Sequence, residues 1–209
     1  IISGLVGSEM CIRDRFEAFQ KCLPCELSNG VLVHGCGSVG SIVAAELIKK
    51  GIKTFVVDID IRKTDIKGAI SLRNDKNWYM RNFDVIVPCS ISGLIDTNIS
   101  QFLLNTKAII SAANAPFSNH IIPEKLKSLK VNIIPDPLVN AGAVIADSIE
   151  KYAPAKWNNT IPEKVYGFVK NEVRKKCFAY LSLEQSGLSS QEILEIMQNQ
   201  KQYIIGELF

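Results

Sequence analysis

The sequence predicts an α/β fold with a doubly wound, mainly parallel β-sheet, followed by helices at the C-terminus. Short apolar segments alternate with helical segments between residues 31 and 134, which is typical of parallel strands joined by crossover helices. A glycine-rich turn follows the first apolar segment. Several polar residues also fall where the predicted strands end. Those ends share one edge of a parallel sheet, and ligands bind at that edge.

The glycine-rich turn lies within the segment from Val31 to Asp58, around which the rest of the chain is organised. An apolar strand precedes Gly35-x-Gly37-x-x-Gly40, and a helix and a second strand follow. In such a unit the first glycine allows a tight turn, the second lets the backbone approach a pyrophosphate, and the third lets the helix pack closely. The pattern predicts a dinucleotide site in a Rossmann-type fold.

Asp58 ends the second strand, 18 residues after the last glycine, where a carboxylate can accept hydrogen bonds from ribose hydroxyls. The helix after the turn directs its N–H groups and the positive end of its dipole at the phosphates. The candidate cofactor-binding residues of this unit are Gly35, Cys36, Gly37, Ser38, Val39, Gly40, Asp58 and Ile59.

The remaining elements follow in order. A helix is predicted from about Ser38 to Lys50, where Gly51 stops it. The other predicted elements are a strand at Thr54–Val57, a short strand at Ala69–Leu72, a strand at Asp84–Val87, a helix over 96–104, a strand at Ala108–Ser111, a helix at Pro123–Leu129, a strand at Val131–Ile134 and a helix beginning near Ala141.

The ends of the chain differ from this pattern. Residues 1–15 resemble a translated cloning or adapter sequence, and we expect a non-native or disordered leader there. Residues 16–156 are predicted to form the NAD(P)-binding domain. Residues 157–209 are predicted to form a helical tail that packs back on it, with a capping signature from Ser189 to Glu192 before the last helix.

The composition excludes several classes of function. Of 209 residues, 47% are hydrophobic and 22% charged, which is typical of a soluble globular protein. The net charge is +3 with scattered basic residues, so neither nucleic acid nor a membrane surface is an expected partner. Cys22 and Cys25 have CxxC spacing, but no second pair or neighbouring histidine completes a metal site. Reduced cysteines and a cytoplasmic location are expected.

Three further runs, together with the glycine loop, resemble the cofactor-binding domain of the glutamate/leucine/phenylalanine/valine dehydrogenase family, and most of all its leucine-type branch. They are Asp84–Cys89 (DVIVPC), Ser111–Asn114 (SAAN) and Pro135–Asp136 with Val139–Gly142. The resemblance implies NAD-dependent oxidative deamination of an L-amino acid to a 2-oxo acid and ammonia. It also implies a homo-oligomeric full-length protein.

The resemblance also implies roles for single residues. Asp58 would bind the ribose and repel the 2′-phosphate of NADP, which favours NAD. Cys89 and Ser90 would form the turn that runs past the adenosine and nicotinamide riboses. Asn114 would contact the nicotinamide side of the cofactor. Asn140 would reach the region between substrate and nicotinamide, with Val144 and Asp147 in the substrate pocket. A carboxylate such as Asp147 is costly to bury beside an aliphatic substrate, so the identity of the amino-acid substrate is left open.

No lysine of this chain matches the substrate-binding and water-activating lysines of the family, which lie in an N-terminal domain. We therefore expect this chain to hold NAD but not to deaminate amino acids by itself. A domain that binds or senses NAD without chemistry is an alternative. A 2-hydroxy-acid dehydrogenase is another alternative, and such an enzyme places a catalytic histidine near the end of the sheet. Neither histidine fits that role, because His34 is interpreted as a hydrogen-bonded structural histidine and His120 as an exposed loop residue.

Overall fold

The computed structural model describes residues 26–135, 138 and 141–199. The chain divides into two compact units, one spanning Cys25–Asp136 and the other including Pro137–Phe209. All the strands described below lie in the first unit. Three parts of the predicted organisation stay predictions. They are the domain boundary after residue 156, the leader at 1–15 and the packing of the tail against the sheet. Cys22 and Cys25 lie outside the described residues.

Six parallel strands form one sheet in the order β3-β2-β1-β4-β5-β6 within the part of the chain that the structure describes. The order reverses between β1 and β4, and such a switch point opens a crevice at the carboxyl ends of the strands. The predicted α/β, Rossmann-type class is confirmed. The strands are β1 (Val31–His34), β2 (Thr54–Val57), β3 (Ile70–Ser71), β4 (Val85–Pro88), β5 (Ala108–Ile109) and β6 (Asn132–Ile133).

The two faces of the sheet pack against different helices. Leu32 pairs with Ile86, and Ile86 with Ile109, so their side chains share one face. They form a buried cluster with Ile122 and Leu126 of helix α3 (Ile121–Ser128). Helix α1 (Ser38–Lys49) contacts β1 and β2, and its buried residues are absent from that cluster. Helices therefore cover both faces, which makes the sheet doubly wound.

The helix predicted over 96–104 is much shorter. Helix α2 spans Thr97–Ser100 and is capped by Asp96, whose carboxylate accepts a 2.8 Å hydrogen bond from the backbone N–H of Ile99. The chain then continues in turns that bury Leu103 while its neighbours Phe102 and Leu104 stay about half exposed. The helix therefore ends earlier than local periodicity predicts, and Leu103 is buried from the turns that follow it.

Asp84 ties together the amino ends of three strands, at the edge opposite the crevice. Its buried carboxylate accepts hydrogen bonds from the backbone N–H groups of Asn29 (2.6 Å) and Gly30 (3.1 Å), just before β1. It also forms a 3.0 Å ion pair with Lys107, just before β5. A buried charge needs such partners, and removing one of them is strongly destabilising.

The second unit is helical over the residues that the structure describes. Its helices are α4 (Ala141–Tyr152), α5 (Pro154–Asn159), α6 (Pro162–Gln185) and α7 (Ser190–Asn199). The predicted capping signature is confirmed, since Ser189 and Glu192 exchange hydrogen bonds between side chain and backbone. None of the helices described here combines the length and the apolar character that crossing a bilayer requires.

Candidate functional site

A cleft of about 440 Å³ lies at the carboxyl edge of the sheet, where the turns after β1, β2 and β4 meet. The switch point of the strand order lies between β1 and β4, so the cleft lies where a doubly wound sheet binds ligands. Its described lining residues are His34, Gly35, Gly37, Asp58, Ile59, Lys63, Cys89, Ser90 and Ile91.

The three glycines of the loop do different things. Gly35 has φ +94°, and a Cβ atom there would lie 2.7 Å from the Cβ atom of Ser90. A Cβ atom on Gly40 would lie 1.8 Å from the carbonyl oxygen of Gly35. At Gly37 no atom of the described residues lies within 4 Å of an added Cβ atom. Two glycines are therefore required by close packing of the loop, whereas the third leaves open space facing the cleft.

Asp58 connects the glycine loop to the end of β2. Its side chain is buried at 8% exposure. One carboxylate oxygen accepts a 2.6 Å hydrogen bond from the backbone N–H of Cys36, and the other accepts a 2.8 Å hydrogen bond from the backbone N–H of Asp60. Each carboxylate oxygen has lone pairs for more than one donor. Asp58 can therefore hold the loop in place and still accept hydrogen bonds from a ligand.

His34 is a hydrogen-bonded side chain of the cleft wall, as the sequence predicted. Its Nδ1 atom lies 2.9 Å from the hydroxyl oxygen of Ser90, and its ring packs edge-on against Trp78 at 5.0 Å. Burial lowers the pKa of His34 from 6.5 to about 4. The imidazole is therefore neutral near pH 7. Burial, with the negative charge of Asp58, also raises the pKa of the Cys36 thiol to about 11, so this thiol stays protonated.

The structure brings together most of the predicted cofactor-binding residues. Gly35, Gly37, Asp58, Ile59, Cys89 and Ser90 all line the cleft. Cys36, Ser38, Val39 and Gly40 belong to the loop and the first turn of α1. Asn114 is exposed on the loop after β5, where its carbonyl oxygen accepts a 2.8 Å hydrogen bond from Ser92 on the loop after β4. These positions agree with a common binding edge, whereas the individual contacts to a cofactor stay predictions.

The predicted substrate pocket consists of Asn140, Val144 and Asp147. Asn140 and the side chain of Val144 lie outside the described residues. Asp147 is exposed on α4, in the second unit. Their roles toward a substrate stay predictions.

Lys63 and Ile91 line the cleft but were missed by sequence reasoning. Lys63 lies on a 3-10 turn (Ile61–Thr64) within the polar stretch that follows Asp58. The one available signal was a basic residue five positions after Asp58. Ile91 is an isolated apolar residue, 65% exposed, that no periodic pattern marks.

Comparison with known proteins supports the resemblance found in the sequence. The family model described as Glutamate/Leucine/Phenylalanine/Valine dehydrogenase matches residues 56–187. Phenylalanine dehydrogenase from Caldalkalibacillus thermarum is 35% identical over 133 residues, which cover 59% of this chain and 35% of that protein. Leucine dehydrogenase from Bacillus subtilis is 25% identical over 185 residues, which cover 83% of this chain and 49% of that protein.

A solved structure shares the fold. L-tryptophan dehydrogenase from Nostoc punctiforme superposes with a TM-score of 0.76 and 20% identity, covering 90% of this chain and 56% of that chain. The chain spans between about a third and a half of the length of these curated relatives. The leucine-type branch has weaker support than the family, because a phenylalanine dehydrogenase is more similar than the leucine enzyme. The chain belongs to the glutamate/leucine/phenylalanine/valine dehydrogenase family of NAD(P)-dependent amino-acid dehydrogenases.

Proposed function

We propose that the full-length protein catalyses NAD-dependent oxidative deamination of an L-amino acid to a 2-oxo acid and ammonia. In this proposal the cleft between β1, β2 and β4 holds the cofactor. The observation that carries this proposal is that Asp58 and Gly37 line the same cleft. The carboxylate of Asp58 has lone pairs left for a ligand, and the backbone at Gly37 faces open space.

The residues of the cleft fit a dinucleotide. A pyrophosphate can approach the backbone at Gly37, since the part of the chain that the structure describes leaves open space in front of that position. The amide groups of the first turn of α1 have no partner within the helix and favour an anion. Ile59 is 93% exposed at the cleft and offers apolar surface to a purine ring. When bound, the nicotinamide group would supply the hydride-accepting chemistry, and these residues would orient it.

We propose NAD as the preferred cofactor because of the charge of Asp58. A second negative group, such as the 2′-phosphate of NADP, is repelled by a buried carboxylate more strongly than by one in water. The family alone leaves the choice between NAD and NADP open.

The amino-acid half of the reaction is also part of the proposal. Asn114 and Asn140 would contact the nicotinamide end, and Val144 and Asp147 would contribute to the substrate pocket. The cleft is lined by one lysine among the described residues, Lys63. We propose that the lysines acting on the amino acid come from another domain of the full-length protein, so that this chain binds NAD without turnover. We also propose a homo-oligomeric, cytoplasmic enzyme with no nucleic-acid or membrane partner.

The test is calorimetric titration of the chain with NAD and NADH, alongside an amino-acid oxidation assay. We expect binding without turnover. Turnover by this chain alone would contradict the proposed second domain, and no binding would contradict the dinucleotide site. In the full-length protein, binding without oxidation of any amino acid would favour the alternative of an NAD-sensing module.

The variant Asp58→Ala should weaken NAD binding and narrow the gap to NADP. Because Asp58 also accepts the N–H of Cys36, Asp58→Asn serves as the matched variant that keeps one side-chain oxygen for that bond. Unchanged NAD affinity in Asp58→Ala would remove Asp58 from the site.

A further inference from the structure

The side chains of His34 and Ser90 form a hydrogen-bonded pair on the wall of the cleft. The Nδ1 atom of His34 lies 2.9 Å from the hydroxyl oxygen of Ser90, and both residues line the cleft. Ser90 is exposed there, whereas His34 is half-buried. The pair is therefore open to a ligand on the serine side.

The backbone that carries Ser90 is fixed by its neighbours. Strand β4 pairs with β1, and the N–H of Cys89 donates a 2.7 Å hydrogen bond to the carbonyl oxygen of His34. Gly35 lies so close to Ser90 that a Cβ atom on the glycine would lie 2.9 Å from the serine nitrogen. The freedom left to Ser90 is rotation of its side chain among rotamers, and the hydrogen bond to His34 restricts that rotation.

The imidazole ring of His34 is held by the core in turn. It packs edge-on against Trp78, with 5.0 Å between the ring centroids, and Trp78 is 3% exposed. Trp78 belongs to the buried cluster that also contains Leu32 of β1 and Ile86 of β4. Because the indole is packed in this core, it limits the positions of the imidazole, and the imidazole limits those of the Ser90 hydroxyl.

The chemistry of the pair suits a ligand hydroxyl group. A nitrogen of neutral imidazole either donates or accepts a hydrogen bond, and a serine hydroxyl has one proton and two lone pairs. If Nδ1 accepts, Ser90 keeps its lone pairs for the ligand. If Nδ1 donates, Ser90 keeps its proton and one lone pair. A ribose hydroxyl both donates and accepts, so it complements Ser90 in either tautomer of His34, whereas a phosphate oxygen only accepts.

This inference rests on the proposed dinucleotide site. We propose that His34 is a positioning residue, which holds the Ser90 hydroxyl in the orientation that binds a ribose hydroxyl of the cofactor. His34 acts through Ser90 and not through a contact of its own with the cofactor. A side chain that is already restricted loses less conformational entropy when a ligand binds, so the pair strengthens binding.

The test is a double-mutant cycle on the full chain, with NAD affinity measured by calorimetric titration. Ser90→Ala removes one hydrogen bond to the ribose and should weaken NAD binding about fivefold. His34→Phe keeps a ring against Trp78 but lacks a hydrogen-bonding nitrogen, and it should weaken binding about threefold. The double variant should bind NAD as Ser90→Ala does, because without the hydroxyl His34 has nothing to position.

Two glutamine variants and a second ligand sharpen the test. His34→Gln should retain most of the affinity that His34→Phe loses, since an amide can still bond the hydroxyl of Ser90. His120→Gln is the matched control, because His120 is exposed in front of helix α3, and NAD affinity should not change. ADP-ribose has both riboses and no nicotinamide, so it should show the same losses as NAD. If the phenylalanine ring prevents folding, as judged by circular dichroism, His34→Leu replaces it in the cycle.

The outcomes separate the role of His34 from the site itself. Additive losses in the double variant would show that His34 acts independently of Ser90 and would overturn the proposal. Full NAD affinity in a folded variant without the His34 nitrogen would overturn it as well. Losses with NAD but not with ADP-ribose would assign Ser90 to the nicotinamide and overturn the ribose contact. Failure of the unaltered chain to bind either ligand would overturn the proposed dinucleotide site.

Discussion

Replacement of His34 by glutamine should flatten the acid dependence of stability between about pH 6.5 and pH 4. In the folded protein burial lowers the pKa of His34 from 6.5 to about 4, so the native imidazole is neutral across this range. The unfolded chain binds the proton first as the pH falls. Stability therefore drops from pH 6.5 down to about pH 4, and above pH 6.5 this side chain contributes no pH dependence.

The size of the effect follows from the shift. At about 1.4 kcal/mol per pKa unit, lowering the pKa from 6.5 to about 4 corresponds to about 3 kcal/mol of unfolding free energy lost by pH 4. Glutamine can still hydrogen-bond the hydroxyl of Ser90, which lies 2.9 Å from the histidine nitrogen, but it does not titrate. The variant therefore removes the proton equilibrium while keeping a polar partner for Ser90.

The assay is urea unfolding of both proteins at a series of pH values, with the imidazole pKa measured separately by NMR. Asp60, Asp75 and Glu192 have lowered pKa values, and they lose stabilisation as the pH falls through the acid range. That loss is common to both proteins, so it cancels in the difference between them. Identical pH dependence in the two proteins, or an NMR pKa near 6.5, would refute the reasoning.

The glycine loop and its neighbouring thiol give two further predictions. Gly37→Ala should reduce NAD affinity at least about tenfold while changing the unfolding free energy by about 1 kcal/mol or less, since the added Cβ atom meets none of the described residues within 4 Å. Gly40→Ala should lower the unfolding free energy by more than about 2 kcal/mol, because its Cβ atom would overlap the Gly35 carbonyl. Equal stability losses in denaturant unfolding would contradict this contrast. Cys36, 4% exposed and with a pKa of about 11, should react with a thiol reagent only after unfolding. Rapid labelling in the native protein, located by peptide mapping, would contradict that prediction.

The features that sequence predicted well are those decided by nearby residues. The turn from Gly35 to Gly40 is specified by glycines a few positions apart, and Asp58 lies at the cleft because its strand ends there. Alternation of strands and helices indicated the fold class for the same reason. The short helix α2 shows the limit, because its early end and the turns that bury Leu103 after it do not follow from local periodicity.

The features that sequence missed depend on partners far along the chain. Pairing of β1 with β4 brings Ser90 to His34, although 56 positions separate them. A hydrogen bond from Ser71 to Thr64 connects the turn that carries Lys63 to the edge strand of the sheet. Local periodicity contains neither contact, so the sequence identified the glycine loop and Asp58 but not Lys63, which lines the same cleft.

The glycine loop is confined on several sides before any ligand arrives. Gly35 abuts Ser90, its carbonyl oxygen lies against Gly40, and the N–H of Cys36 is bonded to Asp58. Such a loop is preorganised, with little conformational entropy left to lose on association. A dinucleotide should therefore bind without a slow rearrangement of the loop, and its association rate should depend on diffusion and orientation.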